Sequence, residues 1–261
     1  MNEPTPTTSS PLDPWRSATP ARIALGRAGS GMPTNEVLRF GWAHAMARDA
    51  IHAALDAQAL ADTLQAQGWD TLQVHSRAGD RTYYLRRPDL GRQLASEDSA
   101  RLRALAGTPK DLSIVIGDGL SSMAIERHAA PLLAELRPKL PPALSMTPIV
   151  IATQARVALA DEIAEDLVAR LSIILIGERP GLSSPDSLGV YLTHAPRRGR
   201  HDAERNCISN IRPEGLGYAA AAFRLAWLIR ESLRRGLSGV DLKDESHLAL
   251  VDEGAPPRSG A

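Results

Sequence analysis

The chain has 261 residues, 43% of them hydrophobic, and its 30 basic and 30 acidic side chains cancel. That is enough chain to bury one sizeable core with an appendage, and the balanced charge excludes an overall field that would draw it to nucleic acid or an anionic membrane surface. A single cysteine, Cys207, rules out an internal disulfide framework or a Cys-rich zinc site and suits a reducing compartment.

Residues 1–16 are rich in Pro, Ser and Thr, and the segment from Lys243 to the end also offers little to bury, so both are read as mobile tails. The start has neither an apolar signal core nor an Arg-rich amphipathic pattern, and no run approaches the roughly 18 apolar residues of a membrane span. A soluble, cytoplasmic protein is expected. Residues 17–100 are expected to form a smaller helical N-terminal lobe. From Thr34 to Leu64 the segment is Ala-rich, with Val37, Leu38, Ala45, Ile51, Leu55, Leu60 and Leu64 supplying apolar faces for two or three helices. The alternating stretches TLQVHS and TYYLRR flank the turn signal Ala78-Gly79-Asp80, which predicts a short hairpin. A helix from about Glu97 to Ala106 follows.

Beyond Gly107 a short apolar run, a Gly-rich or polar corner and an amphipathic helix recur. SIVIG leads to MAIERHAAPLLAEL, where Pro131 marks a weak point, and PIVIA leads to ALADEIAEDLVARL. SIILIG, LGVYLTH and CISNI are further strand candidates, and YAAAAFRLAWLIRESLRRG is a last helix stopped by Gly236. The alternation predicts an α/β domain over residues 101–242, a parallel sheet covered on both faces.

In such a sheet the corners after the strands gather at one edge, where ligands bind. Three corners compete: GDGLSS at 117–122, TQARV at 153–157 and GERPGLSS at 177–184. The first offers Ser121 or Ser122 as a helix cap, and is either a capped turn or a set of backbone donors for a ligand. It is neither a P-loop nor a dinucleotide fingerprint. In the third, Pro180 fixes one dihedral and Gly181 permits a positive one, making a stiff corner. Glu178 ends the strand there and is either half of a solvated ion pair or a ligand contact, with Arg179 pointing the other way. Cys207 lies near Arg197, Arg198, Arg200 and Arg205. It is either a thiol activated by those charges, with His194 or His201 as base, or a packed cysteine lining a site. His194 and His201 match no helical ligand pair, so a metal held by side chains is not expected. Only three of the basic residues are lysines, Lys110, Lys139 and Lys243, so arginine clusters carry little weight on sequence alone.

The ordered set LGRAGSGMPTNEVLRF, YYLRRPDLGRQL, IGDGLSSMAIERHAAPLL, IGERPGLSSPDSLGVY and NCISNIRPEG, running from about Arg22 to Val240, closely resembles the small subunit of ethanolamine ammonia-lyase. The resemblance implies a Rossmann-like three-layer parallel-sheet domain behind the helical lobe, and adenosylcobalamin as cofactor. It also implies a TIM-barrel large subunit that binds ethanolamine and does the chemistry, with cobalamin between the two chains and lyase activity only in the complex. Its cobalamin contacts fall on Val157, Glu178 and Cys207, and no catalytic residue falls on this chain. Many cobalamin domains replace the nucleotide base on cobalt with a His from Asp-x-His-x-x-Gly, a string that none of the seven histidines completes; dimethylbenzimidazole is therefore expected to stay on the metal. The family often works inside a bacterial microcompartment, addressed by an N-terminal extension; here that extension is short and Pro-rich. Two other readings stand beside this one: a free-standing enzyme using Cys207, and a structural subunit that stabilises the large chain.

Overall fold

The fold is described from a computed structural model, which covers residues 11–19 and 21–248. Most of the two expected tails, 1–10 and 249–261, lies outside the described residues. What is described of the first tail, together with Ser17, forms a 3-10 turn over Asp13–Ser17.

In chain order the elements are α1 (Thr34–His52), α2 (Ala57–Ala66), β1 (Thr71–His75), α3 (Arg81–Arg86), α4 (Ser96–Leu105), β2 (Lys110–Gly117), α5 (Ser122–Leu136), β3 (Ile149–Thr153), α6 (Leu159–Asp166), β4 (Ala169–Gly177), β5 (Leu188–His194), β6 (Arg205–Ile211) and α7 (Tyr218–Arg235). The six strands form one sheet in the order β1-β3-β2-β4-β5-β6. β1, β3, β2 and β4 run parallel, whereas β5 is antiparallel to β4 and to β6. The all-parallel sheet expected from the sequence is thus corrected to a mixed one. The cause is the segment between β4 and β5: it has no helix to carry the chain back across the sheet, and a parallel return needs a crossover of a dozen or more residues.

Alternation along the strands divides the core in two. Ile114, Ile116, Ile149, Ile151, Ile173, Leu175 and Leu192 pack with α2, α5 and α7. Val115, Val150, Ala152, Ile174 and Ile176 pack with Leu102 of α4 and with Leu159 and Ile163 of α6. Residues one apart on a strand face opposite sides, so helices flank both faces.

Three sequence expectations change. TYYLRR is helix α3, not the second arm of a hairpin: Asp80 caps it by accepting the Tyr83 N–H at 2.9 Å, and Tyr84 is fully buried. Its would-be partner strand β1 pairs with β3 instead, at Thr71↔Ile149 through His75↔Thr153. β1, which lies within the segment expected to form the helical N-terminal lobe, therefore belongs to the same sheet as the later strands, and that sheet runs across residue 100. Finally, ALADEIAEDLVARL is helical only over Leu159–Asp166; Val168, at φ 56°, ends it and the chain enters β4. Elsewhere the capping chemistry acts as read: the Ser121 hydroxyl accepts the Ala124 N–H at the start of α5, and Gly236 closes α7 at φ 71°. Helix α5 continues through Pro131. No helix among the described residues is long and apolar enough to cross a membrane.

Candidate functional site

The carboxyl ends of β2, β3 and β4 bring the three corners together. The GDGLSS corner is packed against its neighbours and does not present open backbone: a Cβ on Gly119, which sits at φ 58°, would overlap the Gly177 carbonyl, and one on Gly177 would overlap the Ser121 carbonyl. Only glycine allows this approach. Asp118 from the same corner turns inward, its Oδ1 accepting the Ala155 N–H at 2.8 Å and its Oδ2 the Gln154 N–H at 3.0 Å and an Arg81 Nη1–H at 3.3 Å. Burial pushes this carboxyl up while those donors and the Arg81 charge pull it back. Asp118 thereby props the TQARV corner, whose Gln154 sits in the left-handed region at φ 55°. Tyr84 adds a bond from its hydroxyl to the Ala155 carbonyl at 2.9 Å, and Gly91 accepts the Arg156 N–H at 2.8 Å.

Val157 follows in that corner, half-buried, and lines a cleft of about 340 Å³ together with Arg92, Arg156, Tyr191, Asp202 and Arg205. Tyr191 is the link to β6: it lies directly opposite Cys207, so the two side chains share a face. Its phenol is pushed up to about 12, first by burial and then by Cys207, Glu178 and Asp202.

Glu178 stands at the end of β4. Its N–H donates to the Ser187 carbonyl at 2.9 Å, and its Oε2 accepts from the Ser187 hydroxyl and from the Asn210 N–H at 3.3 Å. Its side chain lies across Gly189, where a Cβ would come within 2.9 Å of Oε1. The corner beyond it is stiffened otherwise than expected. Gly181 is not at positive φ; instead Gly181 and Ser184 exchange backbone hydrogen bonds at 3.0 and 3.3 Å. Val157, Glu178 and Cys207 thus converge from three elements around Gly189 and Tyr191. Sequence reasoning passed over those two together with Ser187 and Asn210. The available signal was Gly189-x-Tyr191, a gap beside a ring on one strand face.

Three of the four arginines near Cys207 in sequence, Arg198, Arg200 and Arg205, are occupied elsewhere. Arg205 pairs with Asp161 at 2.5 Å, both buried, Arg200 pairs with Glu204, and Arg198 reaches Glu162, Glu165 and Asp166. The Cys207 thiol is pushed up from its ordinary value, first by desolvation, with the Tyr191 hydroxyl acting against it and Glu178 with it. His194 is three residues from Tyr191 on β5 and so faces the opposite side of the sheet, its ring 4.0 Å from where a Cβ on Gly236 would stand. The activated-thiol reading therefore loses three of its four cationic neighbours and one of its two bases.

A different arginine group lies at this edge. The Arg156 guanidinium stacks 4.2 Å over the Tyr84 ring and its Nε is buried without a hydrogen-bond partner. Burial lowers its proton affinity, the Tyr84 hydroxyl raises it, and Arg81, Arg92 and Arg179 lower it further. Among the described residues no cluster of three or more His, Cys, Asp or Glu side chains is placed to hold a metal ion.

Comparison with known proteins places these features in a family. Residues 9–243 match the model described as Ethanolamine ammonia-lyase light chain (EutC). The chain is 56% identical over 256 residues to the ethanolamine ammonia-lyase small subunit of Azotobacter vinelandii, covering 97% of this chain and 95% of that one. It is 54% identical over 254 residues to the small subunit of Pseudomonas aeruginosa strain LESB58 (96% and 93%), and 53% identical over 255 residues to that of Ralstonia nicotianae (96% and 94%).

Proposed function

Because the chain belongs to the ethanolamine ammonia-lyase light-chain family, we propose that it binds adenosylcobalamin at an interface with a TIM-barrel large subunit, and that the lyase is active only as that complex. The name small subunit itself implies the large partner. On this reading the strands β1 to β4 with their helices are the Rossmann-like part of the subunit.

The observation that carries the reading is the convergence of Val157, Glu178 and Cys207 on one side of the sheet around Gly189 and Tyr191. The donor set suits the cofactor. Glu178 has one carboxylate oxygen engaged by Ser187 and Asn210 and keeps Oε1 for an external donor such as a corrin amide. Gly189 leaves no side chain of its own in the way, the Cys207 side is exposed, and Val157 with Tyr191 adds apolar surface for a flat ring. When bound, the cofactor supplies the adenosyl radical that opens the conversion of ethanolamine to acetaldehyde and ammonia. This chain's residues hold and orient: Glu178 accepts, Tyr191 and Val157 support, and Ser187 and Asn210 keep the carboxylate in place. None of the seven histidines completes Asp-x-His-x-x-Gly, so on this reading the chain would offer the cofactor hydrogen-bonding groups and no imidazole for its metal.

Co-expression with the large subunit, a pull-down and a visible absorption spectrum test this directly. The complex is expected to carry the corrinoid bands, and Glu178→Ala to weaken cobalamin binding about tenfold, the loss of one charged hydrogen-bond acceptor. A complex that forms but never takes up cobalamin leaves the chain as a structural subunit.

A further inference from the structure

The cleft beside Val157 is unbalanced in charge. Four of its lining residues are arginines, Arg92, Arg156, Arg200 and Arg205, against one carboxylate, Asp202. Arg200 and Arg205 are matched by Glu204 and Asp161, and Arg81 just behind is matched by Asp118. Arg92, Arg156 and, close by at the end of β4, Arg179 form no ion pair and no side-chain hydrogen bond among the described residues. Like charges held together with nothing between them oppose folding. Arg156 is the most constrained of the three. Its ring stacking on Tyr84 and its buried, unpartnered Nε hold the guanidinium in place in the cleft wall, whereas Arg92 and Arg179 are exposed. A fixed planar donor set flanked by two exposed cations matches the oxygens of a phosphate group.

We propose that Arg156, with Arg92 and Arg179 beside it, forms the subsite for the phosphodiester of the cofactor's nucleotide loop. This deepens the cobalamin reading above and rests on it. The peripheral side chains of the corrin are neutral amides, so the phosphodiester is the group on the cofactor that guanidinium charge selects. It also gives Arg179 a part that its extended neighbour Glu178 does not share: one residue accepts from amides, the other neutralises an anion.

The test uses the co-expressed complex and two probes, cyanocobalamin and dicyanocobinamide, which lacks the nucleotide loop; binding is followed by visible absorption. Arg156→Gln is expected to weaken cyanocobalamin at least about tenfold, the range for a charged hydrogen bond, while cobinamide affinity stays within about twofold. Arg156→Lys, which keeps charge but loses the fork, recovers part of the difference. The exposed Arg179→Gln is expected to shift the same ratio in the same direction and serves if Arg156→Gln does not fold. Equal weakening of both probes, or of neither, overturns the proposal. So does loss of the large subunit from the Arg156→Gln complex, which would assign the cluster to a partner carboxylate. A wild-type complex that binds neither corrinoid overturns the cofactor reading itself, an outcome distinct from the others.

Discussion

Glu178 and Gly189 occupy one volume: the carboxylate rests where any other residue at 189 would place its Cβ, 2.9 Å from Oε1. A glycine in a strand interior is costly in entropy, and here it is matched to the long side chain of the neighbouring strand. Ser187 and Asn210 then hold one carboxylate oxygen, so the other is presented in a defined place. Cys207 shows the opposite economy. It is exposed, yet desolvation, with Glu178 adding to it and the Tyr191 hydroxyl acting against it, leaves its thiol harder to ionise than a free cysteine. A raised thiol pKa means the thiolate, the reactive form, accumulates only at higher pH. With one cysteine in the chain, iodoacetamide alkylation reports on it alone. The rate is expected to climb at a higher pH than for free cysteine; a bend at or below the free value would restore the nucleophile reading.

At the scale of elements, the sheet edge is built by corners that support one another. The GDG corner packs on Gly177 at the end of β4, and its Asp118 supports the start of the TQARV corner after β3. Helix α3 contributes from outside the sheet: Arg81 reaches Asp118 and the Gly119 carbonyl, and Tyr84 reaches the Ala155 carbonyl. Asp118→Asn replaces one acceptor by a donor facing an N–H or a guanidinium and leaves Arg81 less compensated. It is expected to cost about 1–3 kcal/mol in urea unfolding, and to weaken cofactor uptake through Val157 without touching the ligand. A change below about 0.5 kcal/mol, the range of an ordinary surface substitution, would remove Asp118 from this supporting role.

For the whole molecule, the candidate site is an edge and not an enclosed cavity. Glu178, Cys207 and the arginine group all lie along one side, the arrangement that the proposed complex with a large subunit calls for. The isolated chain is accordingly expected to show no lyase activity, and mixing it with the large subunit and adenosylcobalamin to restore it. Turnover by the chain alone that Cys207→Ser abolishes would reverse that view. Much of this was legible in the residues. Apolar runs followed by Gly-rich corners marked β2, β3 and β4 because buried parallel strands must be apolar on both faces, and Ser121 and Gly236 announced helix ends through hydrogen bonds made within a few residues. The five ordered blocks pointed to the family. Those are local properties, or properties of order along the chain. Tertiary structure alone decided the rest. TYYLRR became a helix because Tyr84 had a core to enter and β1 a better partner in β3. β5 turned antiparallel because no helix was available to carry the chain back. Gly189 and Tyr191 joined the site, and Arg156 was left without a counter-charge, because contacts between residues distant in sequence depend on strand register and packing, which no local spacing encodes.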